Sequence, residues 1–442
     1  MSHMKFTGAR RALALAALAA AVGGCSLDLV NPNAPLEGEV LNDPELILTT
    51  AVGIQSQFAD NVLVFIRASE LVTDQWGTRP LALAADQSLV RGNPDAIFGV
   101  VSEPFAAAYR VARTAEVLTR SAPQVNLSRG NQVGISVLSK LLRAMSIGYL
   151  TMQYEQLPAT YDTVGAPPLP AAQVRDTVIA LLESARAELQ GVTDAELAPF
   201  ITRVMTPTAG SGIDLRNTVD AMLARYYLND GRYADALAAA ARVNRTVISQ
   251  VQYPNPGQNP VWQYMSSLRY VGARREFFQE AEAGDARPAF WAIRTPAAGT
   301  TGLPDSAFDF RAYGGARNDP WAVYLPDEMR LIQAEAHARL GNLPEARRLI
   351  NEVRTEGRAA DGTCTTSAVE PRACLPALPV EALDTPAEVF AQILYERRYE
   401  LFGQGLRWED LRRLAAYTSE RPSIDYLPFP QAECDRNPAA GC

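Results

Sequence analysis

The chain has 442 residues, of which 48% are hydrophobic and 20% are charged, so its composition is that of a packed globular protein and excludes wholesale disorder. Its 49 acidic residues outnumber its 41 basic residues, and the formal charge of −8 argues against broad nucleic-acid binding, which needs a basic surface. Only two histidines occur, His3 and His337, which excludes His-rich zinc sites and Ser-His-Asp triads.

The N-terminal segment has the pattern of a bacterial lipoprotein signal. Basic residues precede an apolar run at 12–22, which is too short to span a bilayer but typical of a signal-peptide core. The run ends in Val22-Gly23-Gly24-Cys25, which resembles a lipobox, where the cysteine receives the acyl chains. We therefore expect a signal peptide at 1–24, lipidation of Cys25 and an extended tether at 25–44. The alternative is an ordinary secretory cleavage site.

Amphipathic helical patterns dominate the chain after the tether, and strand-like runs are few and short. This balance predicts a mostly α fold. The predicted helices cover residues 44–65, 104–120, 133–155, 171–189, 215–229, 233–243, 327–340, 344–356 and 386–402.

Two of the predicted helix pairs share one pattern. Each has a helix, then a glycine, and then an alanine five positions after the glycine, at Gly231 and Ala236 in one pair and at Gly341 and Ala346 in the other. A glycine closes a helix in a left-handed turn, and a small alanine lets the next helix pack closely. This pattern is typical of tetratricopeptide-like helix–turn–helix units, although the two copies are far apart in the chain.

The segment 245–326 differs from the rest of the chain in composition, because helical periodicity is weak there and proline, glycine and aromatic residues are frequent. Loop-rich segments on a helical scaffold commonly carry binding surfaces. Aromatic rings in such a segment are candidate ligand contacts, although large aromatic residues are more often buried in the core. Trp76 and Trp262 are favoured as ligand contacts because polar or turn residues flank them. The full set of candidate ligand-binding residues is Trp76, Trp262, Tyr264, Tyr270, Trp291 and Tyr313.

Four cysteines remain after Cys25, and all of them lie in the last fifth of the chain. Export makes disulfides plausible for this even number, with three possible pairings. Their spacing favours the local pairs Cys364–Cys374 and Cys434–Cys442. The alternatives are four free thiols or a metal site, although the flanking residues, which lack histidine, are not typical of a zinc cluster.

Four segments in this order resemble the SusD/RagB-like family of outer-membrane nutrient-uptake lipoproteins, namely residues 25–32, 70–76, 324–354 and 393–413. The last of these, from Ile393 to Arg413, is the most specific. It departs from the family pattern in having Gln404 where glutamate is usual, and the chain is shorter than most members. Trp408 in this block is interpreted as a structural residue that clasps the scaffold.

The resemblance implies a tetratricopeptide-like scaffold at 45–244 and 327–442, with an irregular ligand-binding part at 245–326 and disulfide-bearing loops near the C-terminus. It also implies a lipid-anchored protein on the outer face of the outer membrane. Such a protein binds a glycan or another nutrient and delivers it to a SusC-like TonB-dependent transporter, without being an enzyme. No nucleotide-binding glycine motif or nucleophile elbow occurs in the sequence, so we expect no cofactor. We assign no metal-ligating residues.

Two other functions are compatible with the residues alone. The first is a periplasmic tetratricopeptide-type scaffold that binds a protein or peptide partner. The second is a helical carbohydrate-active enzyme, because glycoside hydrolysis needs only two carboxylates and many are present.

Overall fold

The computed structural model describes residues 42–158, 167–205, 211–294, 308–440 and 442. The expected signal peptide, Cys25 and most of the tether lie outside these residues. The helices are α1 Pro44–Asp60, α2 Val62–Val72, α3 Ala84–Val90, α4 Gly99–Ser121, α5 Arg129–Thr151, α6 Ala171–Gln190, α7 Asp194–Val204, α8 Leu215–Asn229, α9 Tyr233–Ala240, α10 Pro260–Trp262, α11 Arg275–Gln279, α12 Arg287–Trp291, α13 Pro326–Arg339, α14 Leu343–Thr355, α15 Pro386–Glu400, α16 Arg407–Leu414 and α17 Gln431–Arg436.

The strands are only two or three residues long and form small antiparallel sheets. The largest sheet has the order β1-β6-β8-β7, β2 pairs with β3, and a third sheet has the order β4-β5-β9. The strands are β1 Trp76–Thr78, β2 Gln156–Pro158, β3 Pro168–Pro170, β4 Ser211–Gly212, β5 Gln250–Val251, β6 Val271–Ala273, β7 Ala292–Arg294, β8 Phe308–Phe310 and β9 Trp321–Ala322.

The predicted mostly α fold is confirmed, and helix-capping residues explain several of the boundaries. Asp43 accepts hydrogen bonds from the backbone N–H groups of Glu45 and Leu46 at the start of α1. Thr193 and Thr385 form capping boxes at the starts of α7 and α15.

One predicted helix is wrong in its extent. The chain predicted as a single helix over 44–65 forms α1 and α2 with a break at Asn61, and α2 continues to Val72. The Asn61 side chain donates to the carbonyl of Gln57 at 2.6 Å, which gives the backbone a local alternative to the helix. The predicted helices also lack α3 and α7, the short helices α10, α11 and α12, and the C-terminal helices α16 and α17.

The long helices pack in succession, α4 on α5, α5 on α6, α6 on α8, α8 on α9, α9 on α13 and α13 on α14 and α15. Helix α5 is the one helix among the described residues that is long and apolar enough to cross a membrane, but 78% of its most apolar window is buried inside the protein. It is therefore the central core helix of this array.

The two predicted helix–turn–helix units are present as α8–α9 and α13–α14. Gly231 and Gly341 have φ angles of +74° and +82°, the left-handed conformation that glycine adopts without strain. Ala236 and Ala346 are both fully buried against the preceding helix. The spacing of glycine and alanine thus identified both units correctly.

A buried ion pair joins these two units. Arg225 of α8 donates to both carboxylate oxygens of Glu328 in α13, at 2.6 and 2.7 Å, and both side chains are almost completely buried. A bidentate geometry of this kind orients the helices as well as neutralising the charges.

A second network of ion pairs connects the N- and C-terminal parts of the scaffold. Asp74, just after α2, pairs with Arg407 at 3.1 Å and with Arg398 at 2.9 Å. Burial tends to raise the pKa of Asp74, but the two guanidinium groups outweigh it and hold this pKa below the usual range. Trp408 is buried and donates to the carbonyl of Ile424 at 2.8 Å, which confirms its interpretation as a structural clasp.

The C-terminal cysteines form two disulfides in the structure. Cys364 is bonded to Cys374, and Cys434 is bonded to Cys442. The first bond closes a loop that packs beside α12, where the N–H of Ala286 donates to the carbonyl of Ala373 at 3.1 Å.

Candidate ligand-binding surface

Two of the aromatic residues expected to contact a ligand lie inside the protein. Trp76 has no exposed surface and packs edge-on against Phe310 across the four-stranded sheet, with ring centroids 5.8 Å apart. Trp291 is equally buried, and its indole N–H donates to the carbonyl of Tyr399 at 2.7 Å. The turn residues around Trp76 suggested exposure, but its position on the inner face of a strand turns the ring into the core. A ring with no exposed face cannot stack on a sugar in this conformation.

Tyr264 is also buried, and its ring packs against Tyr270. Its ring meets that of Tyr270 edge-on at 5.1 Å, and its hydroxyl donates to the carboxylate of Asp86. Arg67 lies 3.3 Å from the same hydroxyl and 3.0 Å from the carboxylate of Glu103. Burial raises the pKa of both Asp86 and Tyr264. This polar cluster therefore fixes the orientation of the Tyr264 ring.

Tyr313 is almost completely buried as well, and it anchors a loop. It has a φ angle of +56°, and its hydroxyl donates to the carbonyl of Val369 in the loop closed by Cys364 and Cys374. Tyr313 therefore ties the end of β8 to this disulfide loop.

Trp262 and Tyr270 are only partly buried, at opposite ends of a π-helical turn, Gln263–Ser267. Asn259 holds the start of this turn, because its side chain accepts from the N–H of Trp262 and donates to the carbonyls of Tyr313 and Asp319, at 2.7 and 2.9 Å. The turn is thus attached firmly to the loop that follows β8.

Exposed aliphatic residues occur in the two segments that a backbone hydrogen bond joins here, the loop after β1 and the π-helical turn with the residues that follow it. The N–H of Arg79 donates to the carbonyl of Tyr270 at 2.9 Å, which places the loop after β1 beside the π-helical turn. Leu81 is 71% exposed, Leu83 44% and Leu268 40%. Exposed apolar residues that lie together mark interaction sites more often than isolated ones do. We call this set the aromatic surface, and it consists of Trp262, Tyr270, Leu81, Leu83 and Leu268.

Charged groups border the aromatic surface at strand β8. Asp309 pairs with Arg79 at 2.5 Å and with Arg269 at 3.8 Å. The Arg269 side chain is about half exposed, and its φ angle of +55° places this residue in the left-handed region. Carboxylate and guanidinium groups beside an apolar patch can accept from and donate to the hydroxyl groups of a ligand.

The sequence analysis missed Leu81, Leu83, Arg269 and Asp309. None of them follows a helical or strand period, because Leu81, Leu83 and Arg269 lie outside helices and strands and Asp309 is the middle residue of a three-residue strand. Within the part of the chain that the structure describes, no three His, Cys, Asp or Glu side chains converge as they would around a metal ion.

Comparison with known proteins places this geometry in context. The family model described as the SusD family matches residues 315–424. No curated protein matches the chain significantly in sequence.

Several solved structures share the fold over nearly the whole chain. A SusD superfamily protein from Bacteroides thetaiotaomicron has a TM-score of 0.67 at 16% identity, covering 92% of this chain and 99% of that one. Surface glycan-binding protein A from the same organism, in complex with laminarihexaose, has a TM-score of 0.64 at 13% identity, covering 89% and 97%. NanU from Bacteroides fragilis has a TM-score of 0.63 at 16% identity, covering 93% and 98%. The C-terminal segment therefore matches the SusD family model, and the chain as a whole shares the fold of these SusD-like structures.

Proposed function

We propose that this protein is a cell-surface lipoprotein that binds a glycan or a related nutrient on the aromatic surface and delivers it to a TonB-dependent transporter. It holds its ligand without transforming it. Cys25 carries the lipid that anchors the protein to the outer membrane, and residues up to 44 form the tether.

The observation that carries this proposal is the combination of groups on the aromatic surface. Trp262 and Tyr270 keep part of their rings exposed, and Asp309 lies between two arginines beside them. A pyranose presents an apolar C–H face to a ring and hydroxyl groups to neighbouring charges, so the two kinds of group complement one sugar. The related glycan-binding protein in complex with laminarihexaose supports carbohydrate as the ligand class.

Affinity electrophoresis against a panel of soluble polysaccharides, followed by calorimetry with the best ligand, tests the binding. We expect Trp262→Ala and Tyr270→Ala each to weaken binding about two- to tenfold, since an aromatic contact contributes roughly 0.5–1.5 kcal/mol. Tyr426→Ala is the matched control, because Tyr426 is a 38% exposed aromatic residue outside the aromatic surface. Undiminished binding by both site variants would remove the aromatic surface from the proposal.

A separate experiment addresses delivery and anchoring. Protease added to intact cells should cleave the protein, and a Cys25→Ala variant should be lost from the membrane fraction because it lacks the acylated cysteine. Purification from native membranes should recover a barrel transporter with the wild-type protein. Recovery of the protein without any barrel, or its protection inside intact cells, would contradict delivery at the surface.

A further inference from the structure

A second concave site lies at the other edge of the four-stranded sheet, between α12, the end of β8 and the disulfide loop. This cavity of about 300 Å³ is lined by Phe290, Arg311, Thr366 and Ser367 together with four alanines. Its volume is at the lower end of the range for small-molecule pockets, which fits a single small ligand. The aromatic surface belongs to the opposite edge of the sheet, where β1 and β6 pair.

The walls of the cavity are held in place by contacts from three directions. The N–H of Arg311 donates to the carbonyl of Trp291 at 2.8 Å, which joins β8 to the end of α12. The hydroxyl of Tyr313 reaches the carbonyl of Val369 in the disulfide loop. Ser367 accepts from the N–H of Val369 at 3.2 Å, so this loop also has internal order. The site therefore requires little ordering when a ligand enters.

A buried ion network fixes α12 itself. Arg287 donates to Asp285 at 2.7 Å and to Glu396 at 2.7 Å, and all three side chains have no exposed surface. These ion pairs hold α12 in place from inside the protein, and none of the three side chains lines the cavity.

Arg311 is the charged group of the cavity. Its Nη1 atom donates to the carbonyl of Ala289 at 3.0 Å, which orients the guanidinium, and no other side-chain hydrogen bond of Arg311 is formed with the described residues. Among the described residues, no carboxylate lies within ion-pair distance of Arg311. A single guanidinium with free N–H groups matches one carboxylate in charge and in geometry.

The other lining groups select for a sugar over a simple anion. Phe290 is half-buried and held edge-on by Trp291 at 5.0 Å, so its ring is a fixed apolar wall. Thr366 and Ser367 add hydroxyl groups that can both donate and accept. Alanines supply the remaining walls and leave room for a ring.

We propose that this cavity binds a carboxylate-bearing sugar residue, with Arg311 pairing with the carboxylate and Phe290 contacting the pyranose face. The inference stands apart from the proposed function of the aromatic surface, because neither the residues nor the experiment overlap.

Binding of glucuronate and galacturonate to the purified full chain, compared with glucose and galactose, tests this site. The acids differ from the neutral sugars only by the carboxylate, so we expect them to bind about tenfold or more tightly, as a charge-assisted hydrogen bond predicts. Arg311→Gln should remove this preference, and Phe290→Leu should weaken binding of both acids. Arg317→Gln is the matched control, because Arg317 is an exposed arginine further along the same loop and does not line the cavity.

Three results would overturn the proposal. The first is equal binding of acidic and neutral sugars, or no binding of the acids at millimolar concentration. The second is an undiminished affinity in Arg311→Gln. The third is equally tight binding of acetate, which would make the cavity a simple anion site. Binding of neutral polysaccharides by the aromatic surface is measured separately, with Trp262→Ala, so failure of one site leaves the other interpretable.

Discussion

Glu70 is a carboxyl group that the fold buries between α2 and the turn before α16. Replacing it with glutamine removes its ionisation. Glu70 has no exposed surface, and one carboxylate oxygen accepts from the N–H of Gly405 at 2.7 Å. Burial raises the pKa of Glu70 to about 8, although the N–H groups of Gly405 and Gly403 act in the opposite direction. The folded protein therefore holds this proton more tightly than the unfolded chain does.

The sign of the resulting pH dependence follows from this difference. The stability contributed by Glu70 is fully present below about pH 4.5 and is lost as the pH rises through about 8. Since each pKa unit corresponds to about 1.4 kcal/mol, the loss between about pH 5 and about pH 8.5 is roughly 4 kcal/mol. Glu70→Gln resembles the protonated side chain, because its amide oxygen can still accept from Gly405.

Urea unfolding of wild type and Glu70→Gln at these two pH values measures the effect. We expect similar free energies of unfolding at the lower pH and a variant that is several kcal/mol more stable at the higher pH. The difference between the two proteins isolates Glu70, because other buried carboxyls with raised pKa values, such as Asp327, titrate in both.

Glu70→Ala provides the control, since it removes both the charge and the hydrogen-bond acceptor. It should be less stable than Glu70→Gln by roughly 1–3 kcal/mol at either pH, because the Gly405 N–H is then buried without a partner. A gap between wild type and Glu70→Gln that does not change with pH would refute the reasoning.

Further predictions concern stability and are measured by chemical denaturation. Gly341→Ala should cost about 1–2 kcal/mol because φ is +82° there, whereas Gly53→Ala, in helical backbone with open space around it, should stabilise by up to about 1 kcal/mol. Equal effects would contradict the role of the turn. Glu328→Gln should cost about 3–5 kcal/mol, because Arg225 is left buried without its counter-charge. Trp76→Ala should cost a similar amount, and a small effect would place this ring outside the core.

Periodicity and turn chemistry were sufficient to predict most of the scaffold. The helices α6, α8 and α15 begin at the predicted residues and end within two residues of the predicted ends. Local signals decide these boundaries, because Asp214 and Thr385 cap α8 and α15. The break at Asn61 was not predicted, since the apolar period continues through it.

Local sequence does not determine which of the aromatic candidates are buried and which are partly exposed. Trp76 and Trp262 have similar polar or turn-forming neighbours, yet one ring is fully buried and the other is partly exposed. The difference arises because Trp76 faces Phe310 across a sheet whose strands come from distant parts of the chain. Trp262 lies in a short turn held at the surface by Asn259.

The sequence alone determined the helical class, the two glycine-closed helix pairs and the resemblance to the SusD/RagB-like family, because each depends on residues close together in the chain. Tertiary structure decided which aromatic rings remain exposed and that Asp309 lies between Arg79 and Arg269. It also brought Glu70 against Gly405. These contacts join residues far apart in the chain, so their burial and charge environment exist only after the scaffold has closed.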